Sequence, residues 1–206
     1  QESERKQVTV LFADISGSTA LISGLDPERA WSLLDPILQT MIEAVKPFGG
    51  TVAQIQGDGI MALIGAPVAL EDHALRACYA ALRMHQMADQ LVLPGYTGAP
   101  IRLHVGIATG ETLVGMIGAD LNRGYNAVGE IIHVASRLQA KASAGQTLCT
   151  GETGRQVAGF VSTRSLGMVP IRGIAQPVEV VELEGANDAP MRFHAAAARG
   201  LSDFRG

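Results

Sequence analysis

From Val8 to Ala13 the chain is an almost unbroken apolar run, and Asp14-Ile15-Ser16-Gly17-Ser18-Thr19 then turns small and polar. A short apolar run closed by turn residues predicts a buried central strand. Asp26-Pro27-Glu28 has the marks of a helix start, with aspartate as cap, proline at the first helical position and an acid in the first turn. Leu34, Ile37, Leu38, Met41 and Val45 recur at helical spacing until Pro47-Phe48-Gly49-Gly50 stops the helix. Thr51-Val52-Ala53-Gln54-Ile55 and Ile60-Met61-Ala62-Leu63-Ile64 flank Gln56-Gly57-Asp58-Gly59, which predicts a hairpin with an acid at its tip.

The second half alternates in the same way. Glu71 to Leu91 reads as a helix and Pro94 to Pro100 as a loop. Ile101, Leu103, Val105 and Ile107 alternate as a half-buried strand, with Arg102 and His104 on its other face. Leu113 to Gly118 reads as a second short strand, and the glycine-punctuated 119–129 segment as a long turn or exposed arm. A helix is expected over Glu130–Lys141, a strand over Thr147–Cys149 and a short helix over Thr153–Ala158. Val161–Thr163 and Val178–Leu183 are late strands around the Pro170-Ile171-Arg172-Gly173 turn. The charged lead-in, Gln1 to Lys6, is expected to fray. Residues 1–185 read as one domain, and residues 186–206, where the apolar periodicity fades, as a linker or tail. This order suits an α+β fold of ferredoxin-like type, an antiparallel-rich sheet with helices on one face.

Composition narrows the function classes. With 206 residues and 47% hydrophobic content the chain can bury a real core, and a net charge of −4 offers no basic surface to nucleic acid. Cys78 and Cys149 lie among apolar residues without metal-ligand spacing and read as buried thiols of a reducing compartment. No stretch approaches the roughly 18 apolar residues of a membrane span and no signal peptide opens the chain, so a cytoplasmic, membrane-free protein is expected.

Two acids carry the candidate chemistry. Asp14 and Asp58 each close a strand, and two such carboxylates could hold one or two hard divalent cations beside a turn of free backbone N–H groups suited to phosphate. Singly, each is an ordinary residue of a cap or hairpin turn. Arg137 follows His133 by four residues, so both project from one helix face. The plain alternatives are an arginine paired with Glu130 or simply solvated, a histidine bonding a nearby carbonyl and, for Arg172, a turn cation.

Read together, Val8-Thr9-Val10-Leu11-Phe12-Ala13-Asp14-Ile15-Ser16-Gly17-Ser18-Thr19, Gln56-Gly57-Asp58-Gly59-Ile60-Met61-Ala62, Val105-Gly106-Ile107-Ala108-Thr109-Gly110 and Val134-Ala135-Ser136-Arg137-Leu138 resemble the catalytic domain of class III adenylyl/guanylyl cyclases, from about Gln7 to Leu183. The resemblance implies that fold and cyclisation of a nucleoside triphosphate by attack of the ribose 3′-hydroxyl on the α-phosphate, with ATP expected over GTP. It implies Asp14, Asp58 and the carbonyl of Ile15 as ligands of two Mg2+ or Mn2+ ions, and the N–H groups of Ile15, Ser16, Gly17, Ser18 and Thr19 as the phosphate cradle. Arg137 would offset charge on the transferring phosphoryl group, His133 stands where related enzymes use asparagine for the ribose, and Arg172 matches a late lysine that contacts the terminal phosphates. Gln54 and Asn126 occupy the base-reading places, where an amide can address either purine, and Glu111 replaces an arginine of some relatives. Sharing the site between two copies implies a head-to-tail homodimer. In bacterial relatives such a tail leads into an ATPase-type regulatory module, which implies a longer parent protein. Two readings follow: a metal-dependent nucleotidyl cyclase, or a catalytically silent cyclase-like domain that binds nucleotide or serves as a dimerisation module.

Overall fold

The computed structural model describes residues 3–117 and 124–187, without the side chains of residues 116, 117 and 124–126. Among these residues one sheet of eight strands runs in the order β2-β3-β1-β4-β6-β8-β7, with β5 hairpinned onto β4. The strands are β1 (Glu4–Ile15), β2 (Thr51–Gln56), β3 (Gly59–Ile64), β4 (Leu103–Ile117), β5 (Gly124–Val128), β6 (Thr147–Thr150), β7 (Val161–Val169) and β8 (Val178–Ala186). The helices are α1 (Ser18–Ile22), α2 (Pro27–Val45), α3 (His73–Gln90), α4 (Glu130–Lys141) and α5 (Gly151–Gln156). β1-α2-β2-β3-α3-β4 with strands ordered β2-β3-β1-β4 is the ferredoxin-like split βαβ arrangement expected from the sequence. Among the described strands β4 and β6 pair in parallel and the other pairs are antiparallel.

The sheet is apolar on both faces. Leu11, Ala13, Ile15, Ile60, Ala62, Ile64, Leu103 and Val105 pack against α2 and α3. Val8, Val10, Met61, Leu63 and Ala108 face the other way, where Val134, Ala135 and Leu138 of α4 cover them. Helices on one face only is therefore corrected: α2 and α3 lie on one side and α4 on the other. Apolar residues at both parities of β1 require two covering layers, because each side of a strand needs its own dry partner.

Local expectations change where tertiary contacts override them. The lead-in does not fray from Glu4 onward: Glu4 to Gln7 pair with Val114 to Glu111 of β4, and Arg5 meets Glu111 at 2.9 Å. Residues 103–117 form one continuous strand instead of two, running through Gly110, where a Cβ would press on Ile131 of α4 at 3.0 Å. The expected arm contains β5, paired from Leu113↔Val128 to Ile117↔Gly124. Residues 188–206, most of the expected tail, lie outside the described residues. Cys78 and Cys149 are both buried free thiols, and their mutual hydrogen bond, followed by burial, pushes the Cys149 thiol well above its usual range. No described helix is long and apolar enough to cross a membrane.

Gly106 sets how closely α4 sits on β4. A Cβ there would overlap the Ala135 carbonyl oxygen and the backbone of Gln139. Gly106→Ala is expected to destabilise the domain by about 1–3 kcal/mol through overpacking, measured as a lowered urea midpoint at unchanged m-value.

Candidate functional site

Antiparallel pairing brings the two acids together. β1 and β3 pair with Asp14 opposite Gly59, so Asp58, one residue earlier, sits in the turn beside Asp14. The turn needs its glycines: Gly57 has φ 59°, in the left-handed region, and a Cβ on Gly59 would meet the Ala13 carbonyl at 2.6 Å and the Asp14 carboxyl at 3.3 Å. Asp14 and Asp58 are both half-buried.

The pair is electrostatically loaded. Burial first, then the charge of Asp58, push Asp14 up to about 6 from 3.8, and a hydrogen bond with Asp58 adds to the rise. The Ile15 N–H, which donates to Asp14 Oδ1 at 2.8 Å, and the nearby His104 oppose it. A site that holds two carboxylates this close lacks a positive charge.

Two of the five N–H groups expected to cradle phosphate are already bonded. The Ile15 N–H is spent on Asp14, and the Ser16 N–H donates to the Arg102 carbonyl at 2.8 Å. That leaves Gly17, Ser18 and Thr19, where Gly17 (φ 68°) caps the single turn of α1 and the first N–H groups have no intrahelical acceptor. Gln54 pairs with Met61 on the sheet face that also carries Phe12 and Asp14, and it accepts from Gln56 Nε2 at 2.6 Å. Asn126 pairs with Gly115 on β5; its side chain lies outside the described set.

The cations sit on α4 and in the β7–β8 turn, on other elements than the acids. His133 and Arg137 are exposed on α4, off the buried stripe of Val134, Ala135 and Leu138, and neither has an ion pair or hydrogen bond among the described residues. Among the described residues Arg137 makes no pair with Glu130 and is solvated. α4 covers the same sheet face on which Asp14 lies. Arg172 is exposed in the β7–β8 turn. The register through β8, β6 and β4 (Val180↔Thr150, Leu183↔Thr147, Val105↔Thr147) puts that turn at the sheet end away from Asp14. One copy of the chain therefore does not bring Arg172 to the acid pair. Glu111 is engaged by Arg5.

His104 was visible only as a polar residue on an alternating strand, yet it is the direct cross-strand partner of Asp14. Its Nδ1 lies 2.6 Å from the Ala142 carbonyl at the end of α4, and since a carbonyl only accepts, Nδ1 carries the hydrogen. Its place beside Asp14 depends on a register between strands some 90 positions apart (Asp14↔His104), which local pattern does not contain.

Comparison with known proteins gives a consistent picture. The model of the adenylate and guanylate cyclase catalytic domain matches residues 1–185. Adenylate cyclase 1 of Rhizobium meliloti is 32% identical over 185 residues, covering 88% of this chain and 28% of the relative. An adenylate cyclase of Mycobacterium tuberculosis is 31% identical over 167 residues, covering 81% of this chain and 37% of its own length. The chain thus spans about a third of these relatives. The crystal structure of the adenylyl cyclase CyaB from P. aeruginosa superposes with a TM-score of 0.83 at 29% identity, covering 91% of this chain and 98% of that one. The guanylate cyclase domain of RhGC from Catenaria anguillulae, in complex with GTP, superposes with 0.81 at 25%, covering 89% and 100%.

The raised Asp14 carboxyl gives a signed expectation. Its folded value, about 6, exceeds its ordinary 3.8, so the cation-free fold holds that proton more tightly than the unfolded chain does. Stability from this group is complete below about pH 4 and is lost as pH rises through about 6. Asp14→Asn is expected to raise the Tm of cation-free protein near pH 7.5 by a few degrees, on the order of 2–4 °C per kcal/mol, and not near pH 4. Added Mn2+ should raise the Tm of the parent chain and not that of the variant, as followed by differential scanning calorimetry.

Proposed function

The chain belongs to the family of adenylate and guanylate cyclase catalytic domains, and on that premise we propose that it converts ATP, in preference to GTP, to the 3′,5′-cyclic nucleotide and pyrophosphate at sites shared by two copies. The apposition of Asp14 and Asp58 carries this reading, because two mutually repelling carboxylates gain from divalent cations between them and the substrate phosphates.

The donor set fits Mg2+ or Mn2+. Among the described residues no third His, Cys, Asp or Glu joins the pair. Two carboxylates with the Ile15 carbonyl, water and phosphate oxygens make an all-oxygen environment suited to hard cations that retain part of their hydration. When bound, the two ions supply Lewis acidity at the attacking hydroxyl and at the leaving pyrophosphate.

The chain's own groups do the rest. The N–H groups of Gly17, Ser18 and Thr19 hold the phosphate chain where small residues let it approach. Arg137 of the second copy offsets the charge that grows on the α-phosphoryl oxygens, and a guanidinium with no competing partner among the described residues is free to do so. His133 orients the ribose by one donated or accepted hydrogen bond, and Arg172 of the second copy reaches the terminal phosphates. Gln54 and Asn126 read the base edge as donor–acceptor amides, a chemistry that leaves both purines admissible. In a head-to-tail pair each copy lends acids to one site and cations to the other, so activity requires association. Residues 1–185 act as the catalytic unit, and the segment from 186 leads to an ATPase-type regulatory module in a longer parent protein.

Purified chain with Mn2+ or Mg2+ and ATP or GTP, followed by separation of cyclic products, tests the activity. Asp14→Ala and Asp58→Ala are each expected to abolish turnover, and product surviving in either variant would remove the two-acid mechanism. Arg137→Ala should lower kcat about 10²–10³-fold. Mixing Asp14→Ala with Arg137→Ala should restore about a quarter of parental turnover, since half of randomly paired dimers are mixed and each has one intact site of two. Gln54→Lys with Asn126→Asp is expected to raise the ATP-to-GTP ratio of kcat/KM, and an unchanged ratio would exclude these positions from base reading. Lack of any product, with dimers and nucleotide binding intact, would favour the silent dimerisation module instead.

A further inference from the structure

We infer that His104 is a positioning residue that fixes α4, and with it the Arg137 lent to the second site, against the strand beside the chain's own acid pair. The inference rests on the shared-site reading and adds to it a device that nothing in the sequence pattern assigns.

The observations are geometric. α4 is capped by Ala142, whose backbone leaves helical geometry with ψ 140° and which is 4% exposed. The carbonyl of such a residue lies past the last helical turn and needs a donor from elsewhere, because an unpaired buried carbonyl costs about 1–3 kcal/mol. The Nδ1–H of His104 supplies it at 2.6 Å. At mid-helix, Gly106 admits the backbone of Ala135 and Gln139 onto β4 at a separation that no side chain would permit. These two attachments bracket Arg137, which lies between Ala135 and Gln139 on the opposite side of the helix. Further down, the Gly145 N–H donates to Leu103 and the Val105 N–H to Gln146, so the segment after α4 is also tied to β4.

The consequence concerns distance. Arg137 acts on charge that exists only in the transition state, and misplacement by about 1 Å can cost on the order of 10²-fold in rate. Contact between its helix and the sheet is mostly apolar and non-directional, so it resists separation better than sliding. The His104–Ala142 hydrogen bond is directional and sits at the helix end where sliding would break it. Because His104 is also the cross-strand partner of Asp14, the half-site given and the half-site kept rest on adjacent, directly paired strands, β4 and β1.

Mixed dimers test this directly. In the Asp14→Ala plus Arg137→Ala pair, the single intact site takes Asp14 from the second subunit and Arg137 from the first. His104→Leu keeps an apolar side chain of similar bulk and removes the donor. Placed in the Asp14→Ala subunit, which supplies Arg137, it is expected to lower kcat about 10-fold with KM for the nucleotide unchanged, the mark of an interaction made only in the transition state. Placed in the Arg137→Ala subunit, which supplies Asp14, it should leave turnover within about two-fold, a loss too small for a transition-state contact. His104→Asn carries a donor on the same Cγ and should restore most of the loss. His104→Gln, a gentler change should the leucine variant not fold, is expected to show a smaller loss with the same subunit dependence.

Loss confined to the Asp14-bearing subunit would overturn the inference in favour of a direct effect of His104 on the acid pair. Equal loss in both placements, no loss in either, or an asparagine variant as poor as leucine would also overturn it. Absence of recovery in the parent mixture, before any change at 104, would instead remove the shared-site reading and take this inference with it.

Discussion

Two carboxylates held side by side on a half-buried surface oppose folding, and in this chain strand pairing forces them together. The β1–β3 register puts Asp14 opposite Gly59, and the tight turn then leaves Asp58 little choice of position. Everything around the pair is built to tolerate it. Gly57 takes the left-handed conformation, Gly59 keeps a side chain out of the Asp14 carboxyl, and the Ile15 N–H shares the charge of Asp14. The cost is visible in the raised Asp14 carboxyl. Such local conflict between electrostatics and fold is expected where function, rather than stability, sets the residue choice.

How much of this was legible follows from the range of each determinant. Helix α4 was readable to its end residues because its apolar periodicity is local. The ferredoxin-like order followed from the succession of elements. The acid pair emerged because each member closes a strand. Less legible was the continuity of β4: Gly110 looks like punctuation in sequence, whereas it is a contact position for Ile131. The face on which α4 packs was hidden for a similar reason. A run such as Val8 to Ala13 shows that both sides of a strand are dry without saying which helix covers which. That the Ser16 N–H is already taken depends on the Arg102 carbonyl, 86 residues away and invisible to any local pattern.

Polar groups inside the domain obey the same accounting. Thr9 joins His73 Nδ1 and Thr109, each at 2.8 Å, and Thr109 continues to Thr153, which also meets Thr150. This chain of hydroxyls links α3, β1, β4, α5 and the end of β6 through the layer opposite α4. Burial holds His73 below its ordinary range, so it serves there as a neutral donor or acceptor. Among the described residues no buried side-chain polar atom lacks a partner. Interior satisfaction of this kind makes the rigid frame against which the acid pair can be held in an unfavourable arrangement.

An exposed arginine without a partner is not in itself a functional signal. Arg5, Arg76, Arg102, Arg155 and Arg164 form ion pairs, while Arg29 and Arg83, like Arg137 and Arg172, have none among the described residues. What separates Arg137 from Arg29 and Arg83 is placement. Its helix covers the sheet face that carries Asp14, and its backbone is drawn onto β4 by Gly106 and held at the end by His104. A long, flexible cation gains precision only when its helix is immobile, since side-chain freedom adds to any play in the backbone. Under the proposed shared site, the tight seating of α4 is the physical condition for a lent guanidinium to meet a transferring phosphoryl group; α4 is anchored by a glycine contact and a histidine bond as well as by Val134, Ala135 and Leu138.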